Sequence, residues 1–203
     1  MENKFTVRDF LVYFLTGFSL IIFYVPLKFD ENMQILRNNQ SLLKDFGTVI
    51  IVFFLLTFYL VGHIIQSVDL IRYLIVKRII KNTIVDRKNK IFKLIVSYLA
   101  NNRVVGILYF GEKNHDDFQK KVYYLQGQGK FNNSEYWYSL KDLFHGLEVV
   151  ALSFSIWALF LDKFIFFGIY FFISISFWFE ARFYSKEYVE SVEYTYEENR
   201  SKE

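Results

Sequence analysis

FHGLEVVALSFSIWALFLDKFIFFGIYFFISISFWFEAR, residues 144–182, is the stretch whose reading decides the fold. Two apolar runs, 144–161 and 164–182, are separated only by the charged pair Asp162-Lys163. A helix rising about 1.5 Å per residue needs about 17–25 apolar residues to cross the hydrocarbon core of a bilayer. Each run meets that length. In lipid every backbone N–H and C=O needs a partner within its own segment, so each run is predicted to be a helix. The two-residue gap then forces a tight antiparallel hairpin with Asp162-Lys163 at its tip.

Working outward, the N-terminal third of the chain repeats the pattern. Residues 10–27 and 47–65 form a second pair of apolar runs. Pro26 breaks the first of them near its end, where a helix can stop at little cost. The predicted fold class is therefore an all-α integral membrane protein. It has four transmembrane helices in two antiparallel hairpins, and a small, mainly helical insert between spans 2 and 3. The domains read as an N-terminal hairpin over 1–68, an insert over 69–143, a C-terminal hairpin over 144–183 and an acidic tail over 184–203.

Composition agrees with this class. At 53% hydrophobic residues the 203-residue chain is too apolar for an ordinary globular domain. Its 25 phenylalanines and 15 tyrosines suit lipid-facing and interfacial surfaces. There is no cysteine, which excludes disulfides, thiolate metal sites and cysteine nucleophiles. A net charge of +3 makes no case for nucleic acid. The first run follows Lys4 and Arg8 like a signal peptide, but Tyr24-Val-Pro-Leu-Lys28 offers no small-residue cleavage site. It is read as a retained signal anchor.

The charges set the expected orientation. Four crossings put both termini on one side, and 20 of the 24 Lys and Arg residues then share that side. Only Lys28, Arg37, Lys44 and Lys163 face the other. This positive-inside bias predicts a multi-pass membrane protein with both termini and the insert in the cytoplasm. Arg72, Lys77, Arg78 and Lys141, closest to the span ends, agree. Tyr136-Trp137-Tyr138 before the third span, and Trp178 and Tyr184 at the inner end of the fourth, are expected at headgroup level.

Within the insert, 70–81 mixes aliphatics with cations at helical spacing. It is predicted either to continue the second span or to lie on the inner leaflet, with Arg72, Lys77, Arg78 and Lys81 meeting headgroups or a partner. Residues 90–100 read as an amphipathic helix, 103–110 as a strand or buried extended piece, and 116–126 as another helix with acidic N-terminal residues. Gly127, Gly129, Asn132 and Asn133 mark a loop back to the membrane. The tail carries six glutamates. Its first part is expected to extend the fourth helix and its end to fray.

The candidate site is a polar group inside the apolar spans. Glu148 lies fourteen residues before Asp162, and Glu180 seventeen after Lys163, so an antiparallel pair brings them to similar depth. His145 and Arg182 share that level, and His63 belongs near the inner end of the second span. The five residues form an expected inner-leaflet cluster, able to bind a headgroup or cation or to open a water path. An intramembrane carboxylate is costly enough to suggest function. The competing reading has Glu180 pairing with Arg182 or snorkelling, and Glu148 merely interfacial. No metal site or cofactor is assigned, since His145-x-x-Glu148 is the one close ligand pair in the cluster. No catalytic residue is assigned either. Residues 112–117 around His115 read as a solvated helix start, and no phosphate loop, G-x-S-x-G or H-E-x-x-H pattern is present. Thr16-Gly17, Ala151 with Ser155, and Gly168 are read as helix-packing residues.

Asp9-Phe-Leu-Val-Tyr-Phe-Leu-Thr-Gly-Phe18, the Gly62-His-Ile-Ile65 end of the second span and the sizeable basic insert give a layout with a likeness elsewhere. It resembles small four-span bacterial membrane proteins found with anti-phage defence genes, such as the membrane component of Kiwa. The likeness covers the architecture of most of the chain and includes no diagnostic motif. It implies an oligomeric membrane sensor or effector that works with a cytoplasmic partner. The expected function is accordingly a non-enzymatic, homo-oligomeric inner-membrane protein that recruits a soluble protein through 69–143. The alternatives are a channel or transporter subunit, and a lipid-modifying enzyme built on His145, Glu148 and Glu180.

Overall fold

A computed structural model describes residues 7–82 and 112–201. The expected helix over 90–100 and strand over 103–110 lie outside the described residues. Within them the chain is helical, in the order α1 (Val7–Leu27), α2 (Phe29–Asn38), α3 (Gln40–Asn82), α4 (Glu112–Gly127), α5 (Asn132–Phe160) and α6 (Phe164–Arg200). Four of these are long and apolar enough to cross a membrane, over Phe10–Leu27, Phe46–Val68, Ser134–Phe160 and Phe164–Arg200.

Three helices are longer than a membrane crossing needs. The 21 residues of α1 span about 32 Å, close to the hydrocarbon thickness. The 43 residues of α3 reach about 65 Å, the 29 of α5 about 44 Å and the 37 of α6 about 55 Å. Residues 70–81 therefore continue the second span as one helix. The fourth does not fray at its acidic end but stays helical to Arg200. Contacts to α4, set out below, hold that end.

The helix ends are closed by local chemistry. At the end of α5, Asp162 takes φ 54°, its N–H bonds the Leu159 carbonyl at 3.0 Å, and Lys163 N–H bonds the Ala158 carbonyl at 2.9 Å. This is a Schellman cap with Asp where Gly is usual. The α4 terminus repeats the arrangement on Gly129, with Lys130 N–H to the Leu125 carbonyl at 3.0 Å. Lys163 also donates through Nζ to the Leu27 carbonyl, which the end of α1 leaves without an intrahelical donor.

The chain divides into two compact units. The first comprises Met1–Gln66 and Leu143–Phe177. Its core is Phe23 and Leu27 of α1, Val150, Ala151, Phe154 and Ala158 of α5, and Tyr170 of α6. The Tyr170 hydroxyl donates to the Phe23 carbonyl at 2.9 Å, and Ser155 donates to the Phe167 carbonyl at 3.2 Å. Helices α1 and α3 meet backbone to backbone. A Cβ added at Gly17 would lie 1.9 Å from the Phe58 carbonyl oxygen, and one at Gly62 1.8 Å from that of Tyr13. Each glycine thus faces the residue four before the other, and only the absence of a side chain permits the approach. The outer side of α3, including Val49, Phe53, Leu60 and Ile64, stays exposed, as a lipid-facing surface requires.

The second unit comprises Ser67–Asp142 and Trp178–Glu203, so the insert and the tail share one fold. Val122 and Leu125 of α4 pack with Val192 of α6, ringed by Phe118, Tyr124, Phe131, Tyr188 and Tyr196. Lys121 pairs with Glu193, Lys130 donates to the Asn199 side chain, and Ser134 and Ser191 share a 3.0 Å hydrogen bond. Lys141 Nζ sits 3.9 Å from the Tyr138 ring centre and 2.9 Å from Asp142 Oδ1. Burial pushes the Tyr188 phenol well above the ordinary tyrosine range, only partly opposed by Lys141.

Candidate functional site: a buried histidine–carboxylate pair

Among its described residues the first unit buries one ionisable pair. Glu148 is fully buried and His145 is 2% exposed. Their one-turn spacing on α5 brings His145 Nδ1 to 3.1 Å from Glu148 Oε2. Ser174 of α6 donates to the Glu148 backbone carbonyl at 3.4 Å, a hydroxyl contact on the same turn.

The neighbouring residue brings in two more helices. A Cβ at Gly146 would meet Thr16 Cγ2 at 2.6 Å and Gln66 Nε2 at 2.7 Å. The α1 and α3 side chains therefore close over α5 at this level. Thr16 is fully buried and Ser19 2% exposed, with Ser19 donating to the Thr16 carbonyl at 2.6 Å. Two buried polar atoms here, His145 Nε2 and Thr16 Oγ1, have no hydrogen-bond partner among the described residues.

One turn along α1 and α3 lies a second polar contact. His63 Nε2 is 2.7 Å from the Tyr59 hydroxyl, and its ring stacks on Tyr13. Tyr13 precedes Thr16, and His63 precedes Gln66, by three residues, so the two contacts occupy adjacent turns of one seam.

Glu180 and Arg182, expected beside these groups, belong to the second unit. Glu180 is exposed there, and the Arg182 guanidinium lies 5.8 Å from the Trp178 ring centre. Arg72, Lys77, Arg78 and Lys81 fall on the C-terminal part of α3 and His115 in the first turns of α4. The side chains of those five lie outside the described residues.

Thr16, Gln66, Tyr13, Tyr59 and Ser174 join the site without having been assigned to it from sequence. Polar residues inside apolar spans were the available signal, but their partners depend on the register between helices. A separate apolar cavity of about 420 Å³ opens in the same unit between Leu15, Ile22, Leu147, Ile173 and Phe177. Ser19 and Tyr170 also line it, and its walls are almost wholly hydrocarbon.

Chemically, the pair is a carboxylate that orients an imidazole. A carboxylate on one ring nitrogen fixes the tautomer and defines the other nitrogen as the working atom. Among the described residues no three His, Asp or Glu side chains converge as metal ligands. No protein-family model, curated protein or solved structure matches the chain.

Proposed function

We propose that the chain is a multi-pass protein of the bacterial inner membrane, inserted as two helical hairpins with both termini cytoplasmic. It acts as a homo-oligomeric, non-enzymatic sensor or effector that recruits a cytoplasmic partner through 69–143, in the manner of membrane proteins that accompany anti-phage defence. The observation that carries this reading is the second unit. Helices α3, α5 and α6 exceed the length of a crossing by about 9 to 23 residues, and the excess of α6 packs with α4 into a separate core on Val122, Leu125 and Val192. A helix needed only for insertion has no use for that extension. The bias of 20 of 24 cations toward one side supports the orientation.

The test is in-cell crosslinking from the second unit, with Tyr123 and Tyr194 replaced singly by a photoreactive residue. Both are exposed there. A soluble protein captured from these sites, but not from Phe172 in the fourth span, is the expected result. Capture of lipid or of nothing but other copies of the chain sinks the docking role.

The buried His145–Glu148 pair favours a second reading, a channel or transporter subunit. Ion or solute flux in proteoliposomes, lost in Glu148→Gln, would select it over the first.

A further inference from the structure

We infer that the cavity between α1, α5 and α6 is a binding site for one acyl chain of a membrane phospholipid. This rests on the membrane reading above but not on the docking role.

The walls decide the chemistry of the ligand. Packed interiors leave few voids larger than a water molecule, and atoms lining a gap forfeit their dispersion contacts, so a cavity of about 420 Å³ calls for an occupant. Two hydroxyls belong to its lining, and both hydrogens are spent inside the protein. Tyr170 donates to the Phe23 carbonyl at 2.9 Å, and Ser19 to the Thr16 carbonyl at 2.6 Å. The remaining lining side chains are Leu, Ile and Phe. A sugar, a nucleotide or an ion would lose its hydration here and gain no donor in return. Water needs two to four polar partners to stay. A hydrocarbon loses nothing.

Position decides where that hydrocarbon comes from. Leu15, Phe18 and Ile22 line the cavity yet are themselves exposed, and all three lie well inside the apolar span Phe10–Leu27. The opening is therefore lateral, onto the surface that meets lipid. Phe23 lies four residues before Leu27, whose carbonyl is tied to Lys163 at the turn between α5 and α6, a depth of about 6 Å. Leu143 lies nineteen residues before Asp162 of the same turn, a depth of about 29 Å. The lining thus runs about 22 Å along the helices, longer than the half-core of about 15 Å that one leaflet's chains fill.

Shape limits the ligand to a single chain. About 420 Å³ spread over about 22 Å gives a section of about 19 Å², a tube about 5 Å across. Carbons meet their neighbours at about 3.5–4.0 Å, so one methylene chain fills that tube. A helix from a second copy, about 10 Å across, would need about 1,700 Å³ over the same length and does not fit. A chain seated there touches α1, α5 and α6 together, which gives a membrane sensor a direct contact with the lipid it reads.

The test is photolabelling of full-length protein in phosphatidylcholine nanodiscs that include a phosphatidylcholine with a diazirine in one acyl chain. Light fixes the probe to the side chains its chain touches, and peptide mass spectrometry locates the adducts. Ile165 of α6, exposed and outside the cavity lining, reports ordinary lipid contact. Leu147 of α5, only half-buried, reports the cavity. The expected result is that Leu147 is labelled as strongly as Ile165 despite its lower exposure. Ile173→Trp, which fills the cavity, should remove the adducts on Leu147 and keep those on Ile165. If Ile173→Trp fails to fold, Ile22→Trp, placed at an exposed lining position, gives the same reading. Adducts on Ile165 with none on Leu147 overturn the inference, and so do Leu147 adducts that persist in the tryptophan variant. Absence of adducts at both positions would instead overturn the membrane reading, which separates the two failures.

Discussion

Replacing Gly17 by alanine tests the tightest feature of the first unit. The new methyl would sit 1.9 Å from the Phe58 carbonyl oxygen and 2.7 Å from its carbonyl carbon, where ordinary contact begins near 3.4 Å. Both obstructing atoms are backbone, so no rotamer change relieves the clash. Helices α1 and α3 must separate or turn, which also loosens the contact of Gly62 with Tyr13. Overpacking of this kind costs about 1–3 kcal/mol. The better helix propensity of alanine returns at most about 1 kcal/mol. A net loss of about 1–2 kcal/mol is expected, read as a lower midpoint in reversible SDS unfolding from mixed micelles. Gly168→Ala is the control: its added methyl meets nothing within 4 Å, so propensity alone acts and stability should hold or rise. Gly62→Ala should cost as much as Gly17→Ala. The double variant should cost less than the two together by about 1 kcal/mol, since one separation relieves both clashes. A Gly17→Ala protein as stable as Gly168→Ala would refute the seam.

Lys163→Met removes the donor to the Leu27 carbonyl and should cost about 1–2 kcal/mol in the same assay, with Lys163→Arg recovering part of it. At φ 54° Asp162 holds a left-handed conformation; Asp162→Gly should be neutral or stabilise by up to about 1 kcal/mol, and Asp162→Val should destabilise by about 1–2 kcal/mol. The Tyr188 phenol has its pKa raised in the folded state, so its contribution is intact below the unfolded value of about 10 and is lost as pH climbs beyond it. Wild-type protein should lose up to about 1.4 kcal/mol per pH unit there relative to Tyr188→Phe, measured by unfolding at pH 8 and in alkali. Equal alkaline slopes for the two proteins would contradict the burial of that hydroxyl.

The four long helices were legible because lipid imposes a length and an apolar composition that few other environments demand. Their ends were not. The fourth helix runs on through Glu187, Glu190 and Glu193 because α4 supplies Lys121 and an apolar face and the turn after it supplies Lys130, a tertiary cause that no local pattern displays. Nothing in 29–38 announced α2 either: that helix buries no residue, and the ion pair at its start, Lys28 to Glu31, is local and exposed. For the site, His63, His145 and Glu148 stood out as ionisable groups in apolar runs. The depth argument that grouped Glu180 with them used only the rise along a helix. Glu180 falls in the second unit and is exposed there, whereas His145 and Glu148 are buried in the first. Thr16 and Gln66 were hidden too, since only the packing of α1 and α3 against Gly146 reveals them.

The closed turn between α5 and α6 bears on how sidedness should be assayed. Asp162 and Lys163 together hold two cap hydrogen bonds and a strap to α1, so an epitope or reporter inserted there would break all three at once. Asn39, between α2 and α3, is held only by bonds to its own preceding turn. Tags for mapping which face of the cell each connection meets belong at that junction, where the inserted peptide leaves the rest of the protein undisturbed.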